Sequence, residues 1–121
     1  MIPTSFDALV IGSGQAGPSL AVRLATHDWK TALVERGDLG GTCVNNGCTP
    51  TKTLVASARA AWVARHAADF GVTISGAVGI DYAAVRARMM KVVQGSRDGL
   101  GRWIAGTDKL ALVQGDRRAH V

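Results

Sequence analysis

The sequence predicts an α/β fold in which a parallel β-sheet is built on a βαβ unit and two long helices follow the second strand. Three observations predict this fold. A short β-forming run ends at a glycine-rich turn, the turn opens a helix-forming stretch, and a second β-forming run ends at Glu35. Together these segments occupy about thirty residues, the length of one βαβ unit. The two strands of such a unit are parallel, and the crossover between them is almost always right-handed.

The size and composition of the chain are those of one globular domain. Its 121 residues are 47% hydrophobic and 19% charged, and a chain of roughly 100 to 150 residues can bury a core of its own. No apolar run approaches the ~20 residues that span a bilayer. The first residues also lack the basic and apolar segments of a secretory signal. We therefore expect a cytoplasmic protein that makes no membrane contact.

The basic residues are dispersed along the chain. The formal net charge is +5, but the lysines and arginines are spread from Arg23 to Arg118. A nucleic-acid site would need a clustered basic stripe, preferably with aromatic residues among the charges. We therefore expect no nucleic-acid partner.

The strands and the helix of the βαβ unit are predicted individually. Residues 6–11 (FDALVI) are rich in β-formers and end at glycine, which favours a buried parallel strand. A helix is expected over about residues 15–26, a turn over residues 27–30, and the second strand over residues 31–35 (TALVE).

A long helix is expected after the second strand. Gly37, Gly40 and Gly41 mark an irregular segment, and a helix should follow it and stop near Gly71. One face of this helix is predicted from residues spaced by three and four positions, most of them apolar. These residues are Leu54, Ala58, Ala61, Trp62 and Arg65.

The remaining elements are a loop, a further helix and a third strand. Residues 72–79 are expected to form the loop, and Asp81 is placed to cap the helix that follows. Three glycines weaken the far end of this helix, and residues 110–114 (LALVQ) favour the third strand. The apolar residues of the helix are Val85, Met89, Val92 and Val93, and its glycines are Gly95, Gly99 and Gly101.

A candidate phosphate-binding loop joins the first strand to the first helix. Its residues fit the G-x-G-x-x-G pattern of Rossmann-like folds. In that pattern the first glycine makes a tight turn, the second admits a pyrophosphate, and the third lets helix and strand pack closely. The helix N-terminus then offers free N–H groups to the phosphates. The candidate cofactor-binding residues are Gly12, Ser13, Gly14, Gln15, Ala16 and Gly17.

Glu35 ends the second strand about twenty residues after this loop, which is the spacing expected of a ribose-binding acidic residue. Its carboxylate can accept hydrogen bonds from two ribose hydroxyls and would repel a 2′-phosphate. FAD or NAD therefore suits the site better than NADP. The alternative is that the glycines serve only a tight turn and Glu35 is an ordinary surface residue.

Cys43 and Cys48 form a candidate reactive pair, separated by four residues. Zinc would need four ligands in paired clusters, and the histidines lie singly and far apart. A structural disulfide here would close a short loop worth only about 2 kcal/mol. A redox pair fits better, because a helix N-terminus depresses the pKa of a thiolate and a strained bridge is easily reduced.

The run GGTCVNNGCTPTK resembles the active-site signature of the FAD-dependent pyridine nucleotide-disulfide oxidoreductases, the family of glutathione reductase, dihydrolipoamide dehydrogenase and mercuric reductase. The resemblance implies that NAD(P)H reduces FAD, which passes electrons to a disulfide between Cys43 and Cys48. It places Cys48 next to the flavin and makes Cys43 the thiol that faces a small-molecule substrate. Lys52 would lie near the flavin, where a cation stabilises developing negative charge.

Further FAD contacts are implied by the same resemblance. They would come from Arg36, Gly41, Thr42, Lys52 and Arg117. Asn46 and Thr49 depart from the apolar residues usual in the better-known members. These departures leave the substrate open between a disulfide, as in a lipoamide dehydrogenase, and a metal ion, as in a mercuric reductase.

The resemblance also implies that residues 1–121 are the N-terminal part of an FAD-binding domain. The family's NAD(P)H-binding and dimerisation domains would lie outside these residues, so the chain alone should be inactive and its full-length parent a homodimer. Two interpretations follow. The chain is part of an oxidoreductase, or it is a non-catalytic stand-alone module or truncated remnant that binds FAD or another nucleotide.

Overall fold

A computed structural model of the chain describes residues 5–115. In chain order the elements are β1 (Ala8–Ile11), α1 (Gly17–Thr26), β2 (Thr31–Glu35), α2 (Gly41–Asn45), α3 (Cys48–Arg65), a 3₁₀ turn (Ala67–Phe70), α4 (Tyr82–Ala105) and β3 (Leu110–Gln114). No helix among these residues is both long enough and apolar enough to cross a membrane.

The three strands form one parallel sheet with β2 at its centre. β1 pairs with β2, with Ala8 opposite Thr31, and β2 pairs with β3, with Thr31 opposite Leu110. This arrangement confirms the predicted α/β fold and its parallel βαβ unit. β2 is also the most buried strand, since Thr31, Ala32 and Leu33 are all 0% exposed.

The core lies between the sheet and the helices α1 and α4. Val10 of β1 and Leu33 of β2 pack there with Ala21 of α1 and Ile104 of α4. Because alternate side chains of a strand point to opposite faces, β1 contributes only part of its apolar run to this core.

The prediction that β1 is a buried strand was therefore wrong for two of its residues. Leu9 is 60% exposed and Ile11 is 57% exposed, whereas Val10 is 8% exposed. β1 is an edge strand of the sheet within residues 5–115, and its second face stays open to solvent.

The long helix after β2 begins and ends differently from the prediction. α2 forms a separate turn before it, and α3 ends at Arg65 rather than near Gly71. The 3₁₀ turn follows, and Gly71 ends that turn with a φ of 73°, a left-handed conformation that favours glycine. The predicted apolar face is only partly covered, since Trp62 is 48% exposed and Thr53 is the buried residue of α3.

α4 begins and continues as its sequence indicates. The Oδ1 atom of Asp81 accepts a hydrogen bond from the backbone N–H of Ala84 at 3.0 Å, which is an N-cap. The glycines of its far end do not interrupt it, and it continues to Ala105. Burial of Val93 (2% exposed) and Ile104 (1% exposed) offsets the low helix propensity of glycine. The predicted loop between residues 72 and 79 is confirmed.

Loss of the Asp81 cap should destabilise the chain. Asp81→Ala removes the acceptor of the Ala84 N–H, so we expect the free energy of unfolding to fall by about 1 kcal/mol in urea denaturation. Asp81→Asn keeps an acceptor at the same position and serves as the control. Equal stability of the alanine and asparagine variants would contradict the role of the cap.

Candidate functional site

The phosphate-binding loop has the geometry predicted for its first and third glycines. Gly12 has a φ of 94°, and its N–H donates to the carbonyl of Val34 at 2.7 Å, so the chain turns sharply at the end of β1. A Cβ atom on Gly17 would lie 1.9 Å from the carbonyl oxygen of Gly12. The helix α1 can therefore pack against this turn only because residue 17 has no side chain.

The second glycine of the loop lies beside open space. A Cβ atom on Gly14 would meet no atom within 4 Å, apart from its own chain neighbours. Gly41 approaches from the other side, and a Cβ on Gly41 would lie 2.7 Å from the Cα of Gly14. The first turn of α1 has no side-chain cap, so its N–H groups are available to an anion.

A crevice of about 460 Å³ lies at the carboxyl ends of β1 and β2, next to this loop. In open α/β sheets this is the place where nucleotides bind. It brings together six of the predicted site residues with Ile11, Val34 and Gly115. The six are Gly12, Ser13, Gly14, Glu35, Arg36 and Gly41. Gln15, Ala16 and Gly17 line the adjoining groove along β1.

Glu35, the predicted ribose-binding residue, is hydrogen-bonded to the glycine-rich loop. Its Oε2 atom accepts hydrogen bonds from the N–H of Ser13 at 2.8 Å and from the hydroxyl of Ser13 at 2.6 Å. Its Oε1 atom accepts from the N–H of Gly37 at 2.9 Å. Hydrogen bonding by Ser13, with smaller help from backbone N–H groups, lowers the pKa of Glu35 to about 2. A carboxylate has about four acceptor positions, so these bonds leave capacity for a ribose hydroxyl.

The cysteine pair lies on two consecutive helices. Cys43 is in the middle of α2 and Cys48 is the first residue of α3, and both are free thiols. Gly47 makes the turn between them, where a Cβ atom would lie 3.0 Å from the carbonyl oxygen of Thr42.

The pKa of Cys43 shifts in the direction opposite to that expected for a thiol at a helix N-terminus. Interaction with the neighbouring Cys48 thiol raises the pKa of the Cys43 thiol, and partial burial adds to this effect. The charge of Lys52 acts in the other direction. Lys52 is exposed on α3, four residues after Cys48 and so on the same side of the helix.

Thr42 and Arg117 are two further predicted cofactor-binding residues, and Thr42 is not among the described residues that line the crevice. Thr42 is exposed on α2, and Arg117 lies outside the described residues. Within residues 5–115 no group of three or more potential metal ligands comes together.

Sequence reasoning missed Arg97, which lies on α4 and bonds to Asn45 at the end of α2. The two residues are far apart in the chain, and no motif links them.

Comparisons with known proteins agree with this geometry. The family described as pyridine nucleotide-disulphide oxidoreductase matches residues 6–120. A dihydrolipoyl dehydrogenase from Chlamydia muridarum is 43% identical over 111 residues, which are 92% of this chain and 23% of that protein. A dihydrolipoyl dehydrogenase from Rhizobium etli is 38% identical over 114 residues, which are 94% of this chain and 24% of that protein.

A solved structure is similar over the same part of the chain. It is titled as a Cu(II) complex of the HOCl-induced flavoprotein disulfide reductase RclA from Escherichia coli. The two chains superimpose with a TM-score of 0.75 and 31% sequence identity, covering 94% of this chain and 22% of that one. The chain thus spans about a quarter of the length of the relatives that it matches.

The two glycines of the loop should respond differently to the same substitution. Gly17→Ala forces a Cβ against the carbonyl of Gly12, so we expect the free energy of unfolding to fall by about 2 to 4 kcal/mol. Gly14→Ala enters open space and should change it by less than about 0.5 kcal/mol. Urea denaturation measures both. Equal losses in the two variants would contradict the close contact of α1 with the turn.

The ionised state of Glu35 should make stability depend on pH. Its pKa in the folded chain is about 2, below the ordinary value of 4.5, so its contribution is full above pH 4.5 and is lost as the pH falls toward 2. Because the group is partly solvated, we expect a loss of about 1 kcal/mol. Glu35→Gln should lack this loss, and the difference between the two curves of unfolding free energy against pH measures it. Parallel curves would contradict the low pKa.

Proposed function

Because this chain belongs to the pyridine nucleotide-disulphide oxidoreductase family, we propose that it is the N-terminal part of an FAD-binding domain. The whole flavoprotein would carry electrons from NAD(P)H, through FAD, to a redox disulfide between Cys43 and Cys48. The final acceptor would be a small-molecule disulfide or a metal ion. The observation that carries the proposal is the meeting of Gly14 and Gly41, which joins the phosphate-binding loop to the segment that bears the cysteines.

The residues of the crevice fit FAD. The open space over Gly14 admits a pyrophosphate close to the backbone, and the first turn of α1 offers N–H donors to it. Glu35 supplies a fixed negative charge and acceptor atoms at the end of β2, as recognition of a ribose without a 2′-phosphate requires. When bound, FAD would supply two-electron transfer between a pyridine nucleotide and the cysteine pair.

The cysteines would perform the thiol chemistry. Two electrons and two protons convert the Cys43–Cys48 disulfide into two thiols. The thiolate of Cys43 would then attack one sulfur of a disulfide substrate and release the other as a thiol. Attack by Cys48 on the mixed disulfide would release the second substrate thiol and restore the starting bridge. Lys52 would favour the thiolate form, since its charge lowers the pKa of Cys43.

The substrate class is proposed from the relatives. The matched curated proteins are named dihydrolipoyl dehydrogenases, which favours the dithiol–disulfide couple of a lipoyl group as the substrate. Thiol–disulfide exchange is reversible, so the same cysteine pair would serve when a lipoyl dithiol is oxidised and the electrons flow toward FAD. A metal ion is the second candidate, because the similar Escherichia coli structure is titled as a Cu(II) complex. A mercuric reductase would belong to this second class.

A non-catalytic nucleotide-binding module is the alternative function. It would use the same crevice but would have no need of a reversible disulfide between Cys43 and Cys48. The two functions therefore differ in what happens to the thiols under oxidation.

Binding and thiol oxidation together test the proposal. We expect the chain to bind ADP and FAD in equilibrium dialysis, and Glu35→Ala to weaken binding of both about tenfold because a charge-assisted hydrogen bond is lost. With oxidised glutathione, Cys43 and Cys48 should form one intramolecular disulfide, seen as a loss of two hydrogens by mass spectrometry. Cys48→Ser should instead retain a glutathione adduct on Cys43.

The outcomes separate the two functions. Nucleotide binding with two stable glutathione adducts on the wild-type chain would favour the non-catalytic module. No binding of ADP or FAD by a folded chain would contradict the assignment of the crevice, and with it both functions.

A further inference from the structure

Asn45 ties the short helix α2 to the segment that precedes it. Its side-chain Nδ2 lies 2.9 Å from the carbonyl oxygen of Gly41, 3.2 Å from that of Leu39 and 3.4 Å from that of Asp38. All three are acceptors, so the NH₂ end of the amide must face them. The side chain thereby fastens the last residue of α2 to the first residue of the same helix.

Arg97 of α4 completes this contact from the other side. Its Nε–H donates to the Oδ1 atom of Asn45, and its Nη2 atom lies 3.0 Å from the Oδ2 atom of Asp38. A guanidinium can only donate, so the oxygen of the Asn45 amide, and not its nitrogen, must face Arg97. The Arg97 side chain is 24% exposed, against 66% for Asp38, which makes the arginine the more enclosed partner of the ion pair.

α2 needs such support because of its length and its start. A helix of five residues is a single turn, which is not stable by itself in water. Gly40 and Gly41 enter it with φ values of 104° and 60°, and no side chain caps its N-terminus. Its position relative to α3 therefore depends in part on contacts at its other end, where Asn45 and Arg97 meet.

We propose that Arg97 is a positioning residue for the cysteine pair, acting through Asn45 to hold α2, and with it Cys43, at a fixed distance from Cys48. This role rests on the proposed redox function of the two thiols. Arg97 itself touches no thiol in the described contacts. It would act by raising the effective concentration of Cys43 at Cys48, which sets how readily the bridge forms.

The thiol–disulfide equilibrium of the chain tests this role. In glutathione buffers, oxidised glutathione and the two thiols give the Cys43–Cys48 bridge and two molecules of reduced glutathione. We expect Arg97→Gln to shift this equilibrium toward the dithiol by about three- to tenfold. Arg86→Gln is the matched control, because Arg86 lies on the same helix, is exposed, and makes no hydrogen bond or ion pair within residues 5–115.

Hydrogen exchange gives an independent measurement. Amide exchange over residues 38–46 should be faster in Arg97→Gln than in wild type, and unchanged in Arg86→Gln. A double variant with Asn45→Ala should shift the thiol equilibrium no further than Asn45→Ala alone, because Arg97 acts through that side chain. If the shifts of the two single variants added in the double variant, the proposal that Arg97 acts through Asn45 would be wrong.

A conservative variant keeps the test decisive if Arg97→Gln does not fold. Arg97→Lys retains a positive charge for Asp38 but lacks the planar fork that reaches both partners, so we expect a partial shift toward the dithiol. A lysine variant with the wild-type equilibrium would overturn the role assigned to the Asn45 contact.

The failure of this inference differs from a failure of the proposed function. If the wild-type chain forms no Cys43–Cys48 bridge, the redox function fails. If it forms the bridge and Arg97→Gln matches Arg86→Gln in both measurements, only the positioning role of Arg97 fails.

Discussion

The buried hydroxyl of Ser13 joins the three segments on which the site depends. It donates to Glu35 at the end of β2 and accepts from the N–H of Gly40 at 3.2 Å, immediately before α2. The backbone carbonyl of Ser13 also lies 3.1 Å from the same N–H. Ser13 is 0% exposed, and a buried hydroxyl without partners would cost roughly 1 to 3 kcal/mol. These bonds therefore fix the glycine-rich loop, the acidic strand end and the cysteine-bearing segment relative to one another.

This shared anchor explains why the crevice at the strand ends and the segment that bears the thiols are close together in space. Gly40 donates its N–H to Ser13, and Gly41 then starts α2 against Gly14. The end of the same helix is held from α4 by Arg97. The segment with Cys43 is thus supported at its start by the βαβ unit and at its end by the second long helix.

Local signals predicted much of this structure. The bounds of β2 and β3, the cap at Asp81 and the glycine-rich loop each depend on residues close together in the chain, and all of them are found where the sequence placed them. The exposure of Ile11 could not be predicted, because it depends on which strand lies at the edge of the sheet. α2 was missed because one helical turn has no apolar period, and Arg97 because its partner Asn45 is joined to it only by tertiary contact.

The open edge of β1 has a consequence for how this chain behaves in solution. β1 is paired on one side only within residues 5–115, and Leu9 and Ile11 are exposed beside its free backbone groups. Such an edge is a template on which a strand of another molecule can add hydrogen bonds and cover apolar surface. Where such association occurs, it stabilises the folded state by mass action, and the apparent stability of the chain would then rise with its concentration. The measured free energy of unfolding would then depend on the protein concentration as well as on the sequence.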